Sequence, residues 1–109
     1  MKQFLFKNIN IYLGENKEEN WNLLETSCEN DVFVHLNSFP SGHVKIENET
    51  CDQEIILYAG EICKQHSKYK NLKDVKICYC KYGNVSKGEK IGEVEFKSNR
   101  QVKKIKLQN

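Results

Sequence analysis

The stretch DVFVHLNSFPSGHV, Asp31 to Val44, sets the fold class. Val32, Val34 and Leu36 alternate with Phe33 and His35. Successive side chains of an extended chain point to opposite faces, so this is a strand with one aliphatic face and a second face that presents an aromatic ring beside an imidazole. Asn37, Ser38, Pro40, Ser41 and Gly42 then crowd into six positions, which is turn chemistry. A second alternating segment, His43 to Glu47, puts Val44 and Ile46 on the face opposite His43 and Lys45. His35 and His43 therefore bracket one loop.

Upstream, Phe4 to Phe6 and Ile9 to Leu13 are short alternating runs separated by Lys7 and Asn8, which suits a hairpin with Ile9, Ile11 and Leu13 on its apolar side. After Gly14, Asn16 is placed to cap a helix, with Glu19 returning the bond from the third position. Trp21, Leu24 and Cys28 recur at helical spacing, giving a first helix over about Lys17 to Cys28. Downstream, Thr50 and Gln53 have capping-box spacing. Ile55, Ala59, Ile62, Cys63 and His66 form a helical stripe, giving a second helix over about Cys51 to His66. Gly60 inside it costs on the order of 1 kcal/mol relative to Ala, which suggests close approach of another backbone. Val75 to Tyr82 is apolar or aromatic on both faces, as a central strand is. A polar loop, Gly83 to Lys90, precedes two further strands, about Glu93 to Lys97 and Val102 to Leu107. Strands before, between and after two helices indicate an α+β layer, a mostly antiparallel sheet of five or six strands with two helices packed on it.

The 109 residues suit one domain, with 39% hydrophobic and 29% charged content that is globular rather than disordered. No window is apolar enough to span a membrane, and MKQFLFKNIN has neither the apolar core nor the cleavage site of a secretory signal. Five irregularly spaced cysteines, Cys28, Cys51, Cys63, Cys78 and Cys80, point to free thiols in a reducing compartment, and so to the cytoplasm. Net charge is +2, unevenly spread: residues 1–60 hold four Lys against ten acids, net −6, and residues 61–109 hold twelve Lys and one Arg against five acids, net +8. Clustered Lys concentrates phosphate-bearing ligands, although scattered Lys is also an ordinary solvated surface.

Few constellations carry chemistry. Cys78 and Cys80 fall on one side of a strand, but zinc needs two further ligands and neither C-x-x-C nor a paired His spacing is present. They read as buried free cysteines. There is no nucleophile elbow, and Gly83 to Gly88 lacks the spacing of a P-loop, so no enzyme activity and no cofactor is expected. His35 and His43 remain. Each alone fits a hydrogen-bonded structural role, but two imidazoles flanking a Ser-Gly turn can donate to phosphate or hydroxyl oxygens, and Phe33 and Phe39 can stack on a base if exposed.

Asp31-Val-Phe-Val-His35 followed by Phe39-Pro-Ser-Gly-His-Val44 resembles the central motif of the NFACT-R domain family. That motif is an Asp, an apolar residue, Trp, an apolar residue and His, then Pro-Gly-Ser-His-Val after a short spacer. Here Phe33 stands for the Trp and the pair after Pro40 is reversed to Ser41-Gly42. Ile11 to Gly14 with Asn16 and Asn20 is similar to the family's opening segment. Ala59, Ser67 and Lys68 match its Ala-rich helix, and Val85 to Lys87 and Lys90 to Val94 match its late basic loop and strand.

The resemblance implies nucleic-acid binding, because NFACT-R domains belong to proteins that engage tRNA and the large ribosomal subunit in rescuing stalled translation. With no N-terminal NFACT domain, helix-hairpin-helix region or coiled coil in this sequence, tail synthesis on stalled chains is not carried over. Stand-alone eukaryotic members, one with a membrane-associated DNA-sensing role, look more alike. The expectation is an RNA-binding accessory domain in which His35, Ser41, Gly42 and His43 form the pocket, while Lys45, Lys68, Lys70, Lys81, Lys87 and Lys90 guide the phosphate backbone. DNA as the ligand and a ribosome-associated protein as the partner are the alternatives.

Overall fold

The computed structural model describes residues 1–50 and 52–107, so Cys51, where the sequence places the start of the second helix, lies outside the described residues. In chain order the elements are β1 (Lys2–Phe6), β2 (Ile9–Leu13), α1 (Lys17–Thr26), β3 (Val32–Leu36), β4 (Val44–Ile46), α2 (Gln53–Gln65), β5 (Lys76–Lys81), β6 (Val85–Lys87), β7 (Val94–Phe96) and β8 (Lys103–Lys106). Six strands form one sheet in the order β1-β2-β4-β3-β5-β8, with β6 and β7 as a separate ribbon. Every neighbouring pair is antiparallel. The fold is α+β, as the sequence indicates.

The Val32–Leu36 run sits at the middle of the sheet, between β4 and β5. Its alternation sorts two cores onto opposite faces. Ile11, Val34, Leu36, Val44 and Ile46 pack with Ile56, Ala59 and Cys63 of α2 on one face. On the other, Phe33 and Cys80 pack with Leu23 of α1, Tyr82 and Val85, flanked by Val94 and Phe96. The helices therefore lie on opposite sides of the sheet, and the β6–β7 ribbon joins α1. Lys7 and Asn8, at φ 51° and 63°, close the β1–β2 hairpin in the two-residue turn whose twist matches paired strands.

The structure corrects several local expectations. Asn16 does cap α1, its side chain accepting from the Glu19 amide, but the Glu19 carboxylate returns to the Glu15 amide and the N-terminal amine. The fully buried residue of α1 is Leu23, with Leu24 half-buried against the same cluster, while Cys28 lies beyond the helix and is exposed, so the core face is centred on Leu23 rather than on the Trp21, Leu24, Cys28 stripe. Trp21 instead donates its indole N–H to the Glu93 carbonyl at 2.8 Å. The cap of α2 is Asp52, which accepts from the Glu54 amide; Thr50 accepts from Asp52 and does not form a box with Gln53. What approaches Gly60 is not a backbone but the side chains of Ile77 and Leu107. Part of the polar loop Gly83 to Lys90 is strand β6, which pairs with β7. Among the described residues, no helix is long and apolar enough to cross a membrane.

Candidate functional site

Pairing in the sheet puts Phe33 of β3 opposite Lys45 of β4, and Val34 opposite Val44, so the next step brings His35 and His43 side by side. Their ring centroids are 5.0 Å apart at 84°, and Phe33 sits edge-on to His43 at 5.0 Å. The two histidines that the sequence places at either end of a loop are thus neighbours on one sheet face. They line a depression of about 620 Å³ whose walls come from the Asn37–Ser41 loop, Cys78 on β5, and Glu93, Val94 and Phe96 of the ribbon. A second depression, of about 410 Å³, adjoins it across Pro40 and Ser41 and reaches Lys17 on α1 and Ser67, Lys68 and Tyr69 after α2.

The loop between the histidines is held from several directions. The Ser41 hydroxyl accepts from the Leu36 amide at 3.2 Å and donates to the Gly42 carbonyl at 3.0 Å. The His43 amide donates to the Asn20 side chain at 3.1 Å, and the His43 carbonyl accepts from the Gly14 amide at 2.9 Å. The Phe39 ring lies 4.7 Å from that of Tyr69. Gly42 is required here by close approach, because a Cβ on it would sit 2.3 Å from the Gly14 carbonyl oxygen. The reversed Ser-Gly order thus puts the residue without a side chain where β2 ends and the hydroxyl where it can brace Leu36.

Burial makes the site electrically quiet. Removal from water holds the His43 pKa down at about 3, with the neighbouring His35 adding to the effect. His35 is lowered for the same chief reason, partly offset by a backbone hydrogen bond at Leu36. Both rings are neutral near pH 7 and offer one donor and one acceptor nitrogen each rather than a cation. The nearby thiols are not activated: burial raises Cys78, pushes Cys80 up to about 11, and raises Cys63, which lies beneath the loop. The pocket can form hydrogen bonds and stack on rings, but it presents no activated nucleophile of its own. Among the described residues, no group of three or more His, Cys, Asp or Glu side chains could hold a metal ion.

Of the residues singled out from sequence, His35, Ser41 and His43 line the main depression, while Gly42 lines the smaller one together with Lys68. The other lysines scatter. Lys45 is buried, its ammonium 3.3 Å from the Thr26 hydroxyl and over the Tyr12 ring. Lys81 pairs with Val32, on the α2 face of the sheet, and reaches Glu49 at 2.7 Å. Lys87 is engaged by Glu25 and lies over Trp21, and Lys70 and Lys90 are exposed. Sequence reasoning did not assign Asn20 to the site. Its signals were a position one turn beyond the Asn16 cap and a place in the segment that resembles the family's opening, but what makes it matter is a contact 23 residues away in the chain.

The family model for the NFACT protein RNA binding domain matches residues 4–98. The Rqc2 homolog RqcH of Bacillus subtilis is 30% identical over 97 residues, covering 86% of this chain and 17% of that protein. Protein JLP2 of Saccharomyces cerevisiae is 33% identical over 107 residues, covering 87% of this chain and 51% of JLP2. The solved C-terminal structure of the fibronectin/fibrinogen-binding protein from Streptococcus suis superposes with a TM-score of 0.85 at 21% identity, over 97% of this chain and 44% of that one. The chain thus spans about half of one curated relative and a smaller part of the other.

Proposed function

The chain belongs to the NFACT RNA-binding domain family, and on that premise we propose that it binds RNA, as tRNA or ribosomal RNA, through the depression around His35, Ser41 and His43. Its role is that of a single, non-catalytic accessory domain in rescuing stalled ribosomes in the cytoplasm. The observation that carries this reading is the pair of neutral imidazoles, 5.0 Å apart, on the floor of a depression large enough for a nucleobase. A buried, uncharged, hydrogen-bonding floor suits a base edge or a ribose hydroxyl better than a phosphate, and the half-buried Phe39 and Phe96 rings offer stacking surfaces at its rim. Lys68, Lys70 and Lys90, exposed on the loops around the two depressions, attract the backbone.

Binding of tRNA and of single-stranded RNA across a salt series tests this. Affinity should fall as salt rises, and His35→Ala should weaken binding by about tenfold while leaving the thermal transition near that of the wild type. No binding at low salt, or binding indifferent to both salt and His35, would refute it. Matched DNA oligonucleotides measure whether the 2′-hydroxyl is read.

A further inference from the structure

Beyond the pocket, the same sheet face continues onto β5 and β8. His35 is paired with Cys78, and Cys78 with Lys104, so one cross-strand row runs from the histidines to a lysine on the edge strand. The next row is cationic as well: the Asn37 amide bonds to the Lys76 carbonyl, and Lys76 is paired with Lys106. Alternation turns Lys76, Lys104 and Lys106 to the His35 side, whereas Ile105 and its partner Ile77 face α2. Strand spacing of about 4.8 Å places the Lys104 backbone roughly 10 Å from that of His35.

We propose that Lys76, Lys104 and Lys106 form a phosphate-binding ramp by which a single polynucleotide strand leaves the His35–His43 pocket, an inference that rests on the RNA reading above. Three features support it. None of the three lysines belongs to the cluster that α1 and the ribbon cover on this face, and all three are exposed. Among the described residues, Lys76 and Lys104 have no carboxylate within ion-pair distance, and Lys106 has only the exposed Asp74 at 2.8 Å. By contrast, Lys7, Lys81 and Lys87 are each held by glutamates. Like charges directly opposite on paired strands repel, so the Lys76–Lys106 pair, offset only by the exposed Asp74 beside Lys106, carries a cost that a bound polyanion relieves.

Lysines on an edge strand also deter pairing with other sheets, a role that needs no ligand. The two roles separate in one experiment. Binding of single-stranded RNA of about twelve and about three nucleotides is measured for the wild type, for the triple variant K76Q/K104Q/K106Q, and for the charge-matched variant K2Q/K7Q/K103Q, with thermal melting confirming that each is folded. The ramp variant should lose about tenfold or more in affinity for the longer strand and little for the shorter. Its salt slope should become shallower by roughly two, at about 0.7 per phosphate contact. The charge-matched variant should retain the length preference. If the ramp and control variants bind the long strand equally, the ramp is wrong while the pocket stands. If the wild type binds neither strand, both are wrong.

Discussion

The two histidines owe their state to burial. His43 is only 6% exposed and packs against Phe33 and His35, so a proton on it would be a charge without water or a counter-ion. Its folded-state pKa of about 3 lies below the ordinary imidazole value, so the unfolded chain takes up the proton first. Stability from this group is therefore complete above about pH 6.5 and is lost as pH falls toward 3, at on the order of 1 kcal/mol per pH unit. Urea midpoints measured from pH 7 to pH 4 should decline, and His43→Gln should flatten the decline. An unchanged slope in that variant would show that other groups set the acid response. Sequence alone brought His35 and His43 to the ends of one loop, because alternation fixes the facing of each. It could not show their burial, which depends on the ribbon residues Val94 and Phe96 arriving from much later in the chain.

At the level of elements, strand alternation was a dependable signal, and helix phase held in α2, where Ile55, Ala59, Ile62 and Cys63 are buried, but not in α1. Val32–Leu36 kept its predicted span because it is apolar on one face and aromatic on the other, between two paired neighbours. α1 is short and mostly polar with a single buried residue, so its facing is set by docking on the β6–β7 side rather than by its own stripe. β6 escaped notice because Val85-Ser86-Lys87 is too short to show a period. In α2 the glycine has a packing reason: a Cβ at Gly60 would lie 2.7 Å from Ile77 Cδ1 and 2.9 Å from Leu107 Cδ2. Gly60→Ala improves helix propensity by about 1 kcal/mol, but overpacking costs about 1–3 kcal/mol. A net loss of about 1 kcal/mol in equilibrium denaturation should follow, without change in RNA affinity. A stabilised variant would show that the two side chains move aside at little cost.

Over the whole molecule, the charge asymmetry along the sequence does not become two opposed poles. Acids of the first half reach lysines of the second, as in Glu49 with Lys81 and Glu25 with Lys87, and so neutralise part of the basic half in place. Among the described residues, those left without a carboxylate partner include Lys68, Lys70 and Lys90 and, at the β5–β8 end of the face that carries the histidines, Lys76 and Lys104. Counting lysines in the sequence therefore pointed to a polyanion yet selected several, such as Lys81 and Lys87, that are occupied elsewhere. The central claim, that RNA is held in the depression between β3, the Asn37–Ser41 loop and the ribbon, is tested most directly by nuclear magnetic resonance. An isotope-labelled sample is titrated with short single-stranded RNA while backbone amide and imidazole signals are followed. The largest shifts should fall on Phe33 to His35 and Phe39 to His43, together with the Asn20 side-chain amide. Shifts confined to the β1 edge or the outer face of α2, with those residues unmoved, would contradict the account.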